Sequence, residues 1–335
     1  MKEKIKLYLY SAFILIFSVW AILFIWIHQP LNKIFTVACI LFVITLALAC
    51  IYAYFKKTKL NFYLSNIYIV LALCLVTHFF LLEPRNDREW QDESDKIIQF
   101  KFVDGKVEVE NVRNFIWHSA KDYEIQWETR RYDLEQIESV DLVVSYFMRG
   151  PVAHVFVTFG FKNGEHLAFS LEVRQESHES FSTIGGFFRQ YELALVVGDE
   201  NDLIYTRSNV RDEDVHIYPI QMKHTEMQML FLEFLNKANR LNNHPAWYNT
   251  LTSNCTTILF DLMEHATGDI PKDYRILLPG LIPRYLYETE QLDQQYSFKE
   301  WQKHSFINPK IAHIDDIRKI SSQKFSKMIR QNKDH

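Results

Sequence analysis

Three long apolar runs occupy the first quarter of the chain. Residues 7–27, 34–55 and 60–82 contain no Asp, Glu, Lys or Arg. At about 1.5 Å per residue, each run is long enough to cross a hydrocarbon core of about 30 Å as a helix. A cleaved signal peptide is the alternative for the first run, but the run is too long and two more follow it. The pattern predicts a three-helix transmembrane anchor over residues 1–83.

The lysines around these runs predict the orientation of the anchor. Six of them precede the first run or separate the second from the third, and one separates the first from the second: Lys2, Lys4, Lys6, Lys56, Lys57 and Lys59 against Lys33. Positively charged residues stay preferentially in the cytoplasm. We therefore expect a cytoplasmic N-terminus and, after three spans, an extracytoplasmic domain.

Beyond the anchor, shorter apolar segments predict a folded domain over residues 84–310. The segments with strand-like composition are 107–117, 139–147, 152–161, 166–173, 193–197 and 215–220. Two helices follow, one at 225–241 with Thr225 as its N-cap and one at 254–266 that is closed by Gly268. Strands followed by helices predict an α+β domain with a mostly antiparallel sheet.

The last stretch, residues 311–335, carries scattered Ile, Phe and Met among Lys and Arg. Because chain termini are usually loosely held, we expect a basic C-terminal tail that is a solvated helix or frayed. A helix that lies on the membrane surface is the alternative.

Charge distinguishes the anchor from the rest of the chain. The formal net charge is −4, and residues 1–83 hold seven lysines and two glutamates, a net of +5, which leaves −9 for the remainder. Contacts with a phosphate backbone need a basic surface. The acidic domain therefore excludes nucleic acid as a partner.

The hairpin formed by 152–161 and 166–173 decides which polar side chains meet. A two-residue turn would place His154 and Glu172 on opposite faces, whereas a three-residue loop with Gly164 in the left-handed position places them directly opposite each other. The second register also separates an apolar face from a face of small and polar residues, which favours it. Opposed residues have Cβ atoms about 5 Å apart, so the carboxylate can orient the imidazole and favour its charged form.

Cys255 is the only cysteine beyond the predicted spans, which contain the other three: Cys39, Cys50 and Cys74. The exported domain can therefore form no internal disulfide, and its lone thiol is a candidate for reactivity, with an inert buried cysteine as the alternative. With Ser253 or Asn254 as the N-cap, Cys255 lies in the first turn of its helix. The positive helix end and unpaired amides there lower the pKa of a thiol.

The helix that begins near Cys255 has one apolar face. If that face packs on the small-residue face of the hairpin, which carries Thr158, Ala168 and Ser170, the thiol meets His154. Cys255, His154 and Glu172 would then be the nucleophile, the base and the orienting carboxylate of a thiol enzyme. No His or Cys pair with the usual ligand spacing lies around Cys255, so we expect no metal.

Five stretches of sequence carry a family resemblance. They are Asn111-Val-Arg-Asn-Phe115, Trp127-Glu-Thr-Arg130, Ala153-His-Val-Phe156, Phe188-Arg-Gln-Tyr-Glu-Leu193 and Trp247-Tyr-Asn-Thr-Leu-Thr-Ser-Asn-Cys-Thr-Thr257. The order, with a histidine strand before a cysteine helix, resembles the circularly permuted papain-like thiol enzymes. More specifically, the stretches resemble the Lnb-type periplasmic domain, over roughly residues 84–283.

That resemblance implies a bacterial lipoprotein N-acyltransferase in the inner membrane, with its catalytic domain in the periplasm. Such an enzyme moves a fatty acyl chain from a membrane phospholipid to the N-terminal amine of a lipidated protein, without a cofactor. The resemblance implies that Cys255 holds the acyl chain as a thioester, that His154 transfers protons and that Glu172 orients His154. The backbone N–H of Cys255 and of a neighbour would stabilise the oxyanion.

Residues close to these motifs are candidates for substrate binding, namely Asn254, Arg174, Arg189, Tyr191 and Tyr248. For the two arginines and two tyrosines, packing and ion pairing is the favoured alternative to binding a lipid head group. Two other functions use the same sequence features. A thiol peptidase or amidase that acts on cell-wall peptides would need a polar groove, and a non-enzymatic anchored scaffold would bury an unreactive Cys255.

Overall fold

The computed structural model describes residues 2–268 and 270–331, which form two compact units. The membrane unit contains the chain up to Pro84 together with the segment Ser182–Gln190. The globular unit contains Arg85–Phe181 and the chain from Tyr191 onward. Each unit has hydrophobic clusters of its own.

The membrane unit is built on the three predicted spans. They are the helices α1 (Lys2–His28), α2 (Lys33–Phe55) and α3 (Leu60–Leu81). All three are long and apolar enough to cross a membrane. The buried hydroxyl of Tyr68 joins α3 to α1, because it lies 2.7 Å from Ser18 Oγ and donates to the carbonyl of Ile14 at 2.9 Å.

The described residues of the globular unit form ten strands. They are β1 (Gln99–Val103), β2 (Lys106–Arg113), β3 (Ile116–Ser119), β4 (Asp122–Glu124), β5 (Trp127–Tyr132), β6 (Ile137–Tyr146), β7 (His154–Phe161), β8 (His166–Arg174), β9 (Glu192–Gly198) and β10 (Asp214–Pro219). Eight form one sheet in the order β1-β2-β9-β8-β7-β6-β10, with β5 paired to β2, and β3 and β4 pair separately.

The sheet is mixed but mostly antiparallel, as expected, with one parallel pair of strands. Strand β2 runs parallel to β9, with Arg113 beside Gly198, whereas the other ladders of the sheet are antiparallel. The parallel contact depends on glycine, since a Cβ at position 198 would lie 2.6 Å from the carbonyl oxygen of Arg113. This close approach joins the β1-β2-β5 group to the rest of the sheet.

Helices cover both faces of the sheet. They are α4 (Glu200–Tyr205), α5 (His224–Asn243), α6 (Cys255–Thr267), α7 (Ile282–Glu288), α8 (Phe298–Ser305), α9 (Asn308–Ile311) and α10 (Ser322–Arg330). Helices α5, α6 and α7 share one hydrophobic cluster with the inward residues of β6, β7 and β8. Helices α4, α9 and α10 share a second cluster on the other face. The result is a three-layer α+β domain.

Helix α5 begins earlier than predicted. Its N-cap is Lys223 and its first residue is His224, so Thr225 as N-cap was wrong. The Glu226 carboxylate accepts the backbone N–H of Lys223 at 3.0 Å. An acidic residue at the third helical position can close the helix start in this way, whatever side chain stands at the N-cap.

The hairpin of β7 and β8 has the predicted register. Thr158 lies opposite Ala168, and Gly164 in the loop has a φ of 81°. A φ of this sign is easily adopted by glycine, and it closes the three-residue loop. Continued to the start of β7, the same register places His154 opposite Glu172.

The C-terminal segment is part of the globular unit, so the expected solvated or frayed tail is corrected. In α10, Phe325 and Ile329 are almost completely buried. Arg330 forms ion pairs with Asp141 and Glu200, both at 2.6 Å. The two buried carboxylates need this cation, because an isolated buried charge is strongly unfavourable.

We predict that Arg330→Met destabilises the globular unit. Removing one partner of a buried ion network costs about 3–5 kcal/mol, because the remaining charges lose their compensation. Thermal unfolding of the full chain in detergent, followed by tryptophan fluorescence, measures the change. Lys327→Met on the exposed side of α10 is the matched control and should leave the midpoint nearly unchanged. Equal midpoints for the two variants would show that the Arg330 network does not hold the segment.

Candidate active site

His154 and Glu172 meet at one end of the sheet. The imidazole Nε2 of His154 lies 3.3 Å from Glu172 Oε1 and 2.7 Å from Ser170 Oγ. The Ser170 hydroxyl donates to the same carboxylate oxygen at 2.6 Å. A carboxylate and a hydroxyl therefore hold the edge of the ring at Nε2. This leaves Nδ1 as the ring nitrogen available to another group.

Cys255 is the first residue of α6, and Asn254 caps this helix. The Asn254 side-chain oxygen accepts the amides of Thr256 and Thr257, both at 2.9 Å. The Asn254 amide in turn donates to Thr257 Oγ1 at 3.0 Å. This reciprocal pair of bonds fixes the helix start, and with it the position of the Cys255 sulfur.

Burial raises the pKa of the Cys255 thiol, whereas the His154 side chain and the backbone amide of Val155 lower it, so both groups lie close to the sulfur. The face of the hairpin on which α6 packs differs from the expected one. Helix α6 packs on the larger apolar face of the hairpin, with residues such as Leu259 beside Val157 in one cluster. The thiol meets the imidazole at the start of β7. Leu259 and its apolar neighbours are too bulky for the small-residue face, which α4 and α10 cover instead.

The site is charged at neutral pH. Burial lowers the pKa of His154, but the Glu172 carboxylate outweighs it and raises the pKa to about 9. Burial raises the pKa of the Cys255 thiol, but the hydrogen bond and charge of His154 outweigh that effect and lower it. Burial also disfavours ionised Glu172, yet His154 and Arg207 hold its pKa well below the usual range. At neutral pH His154 is therefore an imidazolium beside the Glu172 carboxylate, and the Cys255 thiol ionises more readily than an ordinary thiol.

Arg207 and Glu213 extend the network and were not predicted. Arg207 Nη2 donates to Glu172 Oε1 at 2.8 Å, and its Nη1 lies 3.5 Å from Glu213 Oε2. The Ser145 hydroxyl donates to Glu213, and Ser145 is the ladder partner of His154. The arginine lies in a π-helical turn, Thr206–Val210, which no apolar period or cap in the sequence indicates.

Two of the five candidate substrate-binding residues lie at the site. Asn254 is the N-cap, and its side-chain oxygen is occupied by the helix amides. Tyr248 is half-buried, and burial together with the charges of Cys255 and Glu172 raises its pKa. Tyr248 thus lies within electrostatic range of Cys255 and Glu172.

The other three candidates have structural contacts. Arg174 donates to the carbonyls of Ser94 and Asp95 at 3.0 and 2.6 Å, and its guanidinium lies 4.3 Å from the ring centre of Trp90. Tyr191 is fully buried and donates to the carbonyl of Ser180 at 2.7 Å. Arg189 belongs to the membrane unit, where it donates to backbone carbonyls at the end of α3.

The backbone amide of Cys255 is available to donate a hydrogen bond. The amides of Thr256 and Thr257 are bound by Asn254, whereas that of Cys255 donates to no acceptor in the described part of the chain. The N–H of the first helical residue points out of the N-terminal end of the helix, and the partial positive charge of the helix dipole is concentrated at that end. It can therefore donate to an oxyanion that forms beside the sulfur.

An apolar cavity of about 670 Å³ begins one turn along α6 from Cys255. Its apolar lining includes Leu142, Val157, Leu259, Phe260, Met263 and Ile282. Gln221 and Lys223 also line it and are exposed, so they mark where it opens to solvent. The volume lies in the range of roughly 300–1,000 Å³ that is typical of small-ligand pockets. Among the described residues, no cluster of His, Cys, Asp and Glu could hold a metal ion.

Comparison with known proteins finds a family model that matches part of the chain. A family model described as the Lnb N-terminal periplasmic domain matches residues 123–280. The matched segment contains His154, Glu172 and Cys255, whereas the stretch at 111–115 that also carried the resemblance lies outside it. No curated protein and no solved structure matches the chain.

We predict that His154 sets the pH dependence of Cys255 alkylation. In the native protein the thiolate should persist below the ordinary thiol pKa, because the His154 side chain outweighs the effect of burial. In His154→Ala burial is opposed only by the hydrogen bonds of Val155 and Thr256, so the midpoint should move upward. Iodoacetamide labelling, quantified on the Cys255 peptide by mass spectrometry, measures the profile.

Two further variants complete the alkylation series. Glu172→Gln should move the midpoint in the same direction by a smaller amount, because the imidazole loses the charge that keeps it protonated. His178→Ala removes a largely exposed histidine of the same unit and should change nothing. An unchanged profile in His154→Ala would contradict the ion pair.

Proposed function

This chain is a membrane protein with an Lnb-type periplasmic domain over residues 123–280, and we propose that it is a thiol acyltransferase. It moves a fatty acyl chain from a membrane phospholipid, through a thioester on Cys255, to the N-terminal amine of a lipidated protein. The observation that carries the proposal is the electrostatic coupling of the Cys255 thiol with the His154 imidazole, which lies 3.3 Å from the Glu172 carboxylate that keeps it protonated. A structural cysteine does not need this charged pair.

In the first half-reaction, the Cys255 thiolate attacks the ester carbonyl carbon of the phospholipid. A carbon–sulfur bond forms, and the Cys255 amide donates to the oxyanion. The ester carbon–oxygen bond then breaks, and the His154 imidazolium gives its proton to the departing alkoxide. The products are a lysophospholipid, the Cys255 thioester and a neutral His154.

In the second half-reaction, the amine of the acceptor attacks the thioester carbon. Neutral His154 takes a proton from the amine as the carbon–nitrogen bond forms. The carbon–sulfur bond breaks, and the thiolate and imidazolium are restored. Glu172 and Ser170 hold the ring through both steps, because Nε2 lies 3.3 and 2.7 Å from their oxygens, which leaves Nδ1 for proton transfer.

The apolar cavity beside α6 supports an acyl substrate over a peptide. A peptidase needs a groove with donors and acceptors along the peptide backbone, whereas this cavity presents mostly aliphatic and aromatic side chains to its interior. Leu259 lies one helical turn from Cys255, about 6 Å along the axis, so a chain bound to the sulfur can extend along the helix into the cavity.

The membrane anchor fits such a reaction, because both donor and acceptor are lipids held at a bilayer surface. The proposed topology has the N-terminus in the cytoplasm of a bacterium, three spans in the inner membrane and the catalytic domain in the periplasm. It rests on the distribution of lysines and on the description of the family as periplasmic.

We predict a fatty acyl adduct on Cys255 in the protein purified with native lipid and no acceptor. Mass spectrometry of the Cys255 peptide should show an acyl mass that hydroxylamine removes. The adduct should be absent in Cys255→Ser and retained in Cys74→Ser, a matched control that removes the lipid-exposed thiol of α3. In His154→Ala the rate of adduct formation should fall by a factor of about 10²–10⁴, because this variant lacks the histidine that transfers the proton.

Other outcomes of this experiment identify the alternatives. Cleavage of cell-wall peptides without an acyl adduct would identify an amidase. A Cys255 that neither acylates nor alkylates would identify a scaffold, in which the buried thiol, 7% exposed, is inert.

We also predict that filling the cavity shortens the acyl chains that the protein accepts. Met263→Trp puts a larger side chain into the cavity, so adduct formation from long-chain phospholipids should fall at least about tenfold, with a smaller effect on short chains. Asp261→Trp, on the exposed side of the same helix, is the control. Equal losses for long and short chains would place the acyl chain elsewhere.

A further inference from the structure

The segment Ser182–Gln190 leaves the globular unit between β8 and β9 and packs with the transmembrane helices. Its Phe188 ring lies 6.1 Å, centre to centre, from the ring of Trp20 on α1. The carbonyl oxygen of Phe188 lies 2.8 Å from His28 Nε2, at the end of the same helix. The segment is thus attached to α1 by a side chain and by its backbone.

These contacts define how far the segment reaches along α1. Trp20 lies eight residues before the end of this helix, which is about 12 Å at the rise of an α-helix. Helix α1 has 27 residues and is about 40 Å long, whereas the hydrocarbon core is about 30 Å thick. Only a short part of the helix can therefore extend beyond the hydrocarbon core at either end. The ring of Phe188 therefore reaches to the depth of the lipid chains.

Arg189 fixes the segment to a second helix. Its Nη1 donates to the carbonyls of Phe79 and Leu82 at 2.9 and 3.3 Å, where α3 ends and its last carbonyls lack helical partners. Its guanidinium also lies 4.6 Å from the ring centre of Phe79. The charged side chain thus caps a helix C-terminus, a favourable position for a cation.

The outward side of the segment is uncharged and mostly apolar. Residues 180–188 contain no charged residue, and the side chains of Ile184 and Phe187 are 50% and 41% exposed. Ile184 and Phe187 flank two glycines, Gly185 and Gly186, so no bulky or charged group lies between them. In a unit made of membrane helices, the surroundings that suit these side chains are lipid.

Part of the backbone of the segment is hydrogen-bonded within the segment, as favours an apolar environment, where an unpaired amide costs several kcal/mol. A 3₁₀ turn over Gly185–Phe187 pairs the amides of Phe187 and Phe188 with the carbonyls of Ile184 and Gly185 at 3.0 and 2.9 Å. The amide of Gly185 donates to Ser182 Oγ, and that of Gln190 to the Gly185 carbonyl, both at 3.3 Å.

We propose that Ser182–Gln190 is a bilayer-inserted loop, a fourth contact with the membrane in addition to the three spans. Ile184 and Phe187 lie among the lipid chains of the leaflet that contains the ends of α1 and α3. Phe188 and Arg189 hold the loop at this depth. The proposal does not depend on the acyltransferase reaction, since it uses only residues of the membrane unit.

Nitroxide labels test the insertion in the full chain, reconstituted in phosphatidylethanolamine and phosphatidylglycerol vesicles. Ile184→Cys or Phe187→Cys is placed in a background in which the four native cysteines are alanine. Electron paramagnetic resonance then compares collisions with oxygen, which concentrates in lipid, and with a water-soluble nickel chelate. We expect both labels to collide with oxygen and to be protected from nickel. Phe102→Cys is the matched control, because Phe102 is a 63% exposed residue on β1 of the globular unit, and its label should show the reverse.

Labelling of the unmodified protein keeps the test valid if the cysteine-free background fails to fold. Vesicles that contain a phospholipid with a photoreactive acyl chain should label the peptide with Ile184 and Phe187 but not the peptide with Phe102. Nickel accessibility at residues 184 and 187 equal to that at residue 102, or equal photolabelling of the two peptides, overturns the proposal. In either case the acyl adduct on Cys255 is measured separately, so the two proposals succeed or fail independently.

Discussion

A buried imidazole normally loses its proton, and the site described here depends on the carboxylate that prevents this. Glu172 lies 3.3 Å from His154, and Arg207 in turn keeps Glu172 ionised. Because the histidine stays charged, the thiol of Cys255 loses its proton more readily despite its burial. The charge of Arg207 in an irregular turn thus affects Glu172 and His154 on neighbouring strands, and through them the sulfur of Cys255 at the start of a helix.

Part of this arrangement could be predicted because it depends on local rules. The register that opposes His154 and Glu172 follows from one loop residue, Gly164, and from the separation of apolar and small side chains on the two faces. The start of the helix at Cys255 follows from the capping preference of Asn254. The spans follow from length and the absence of charge. In each case the determining residues lie within about twenty positions of each other in the chain.

Contacts between distant parts of the chain could not be predicted in this way. The face on which α6 packs depends on how bulky residues of several elements fill one cluster, and no single segment contains that information. Arg207 carries no signal, because a π-helical turn has neither a cap nor an apolar period. The basic C-terminal segment resembles a solvated tail until Asp141 and Glu200 are known to lie buried beneath it. The same is true of Arg189, whose carbonyl partners lie about 110 residues earlier.

The pairing of Arg330 with Asp141 and Glu200 has a consequence for biogenesis. The cation follows the first of these carboxylates by 189 residues and the second by 130. During synthesis both acidic groups emerge long before their partner, so the sheet cannot bury them stably until residue 330 has been added. A chain that stops before that point retains solvated acids in place of a closed face. Addition of the last helix thus becomes the event that commits the globular unit to its native state.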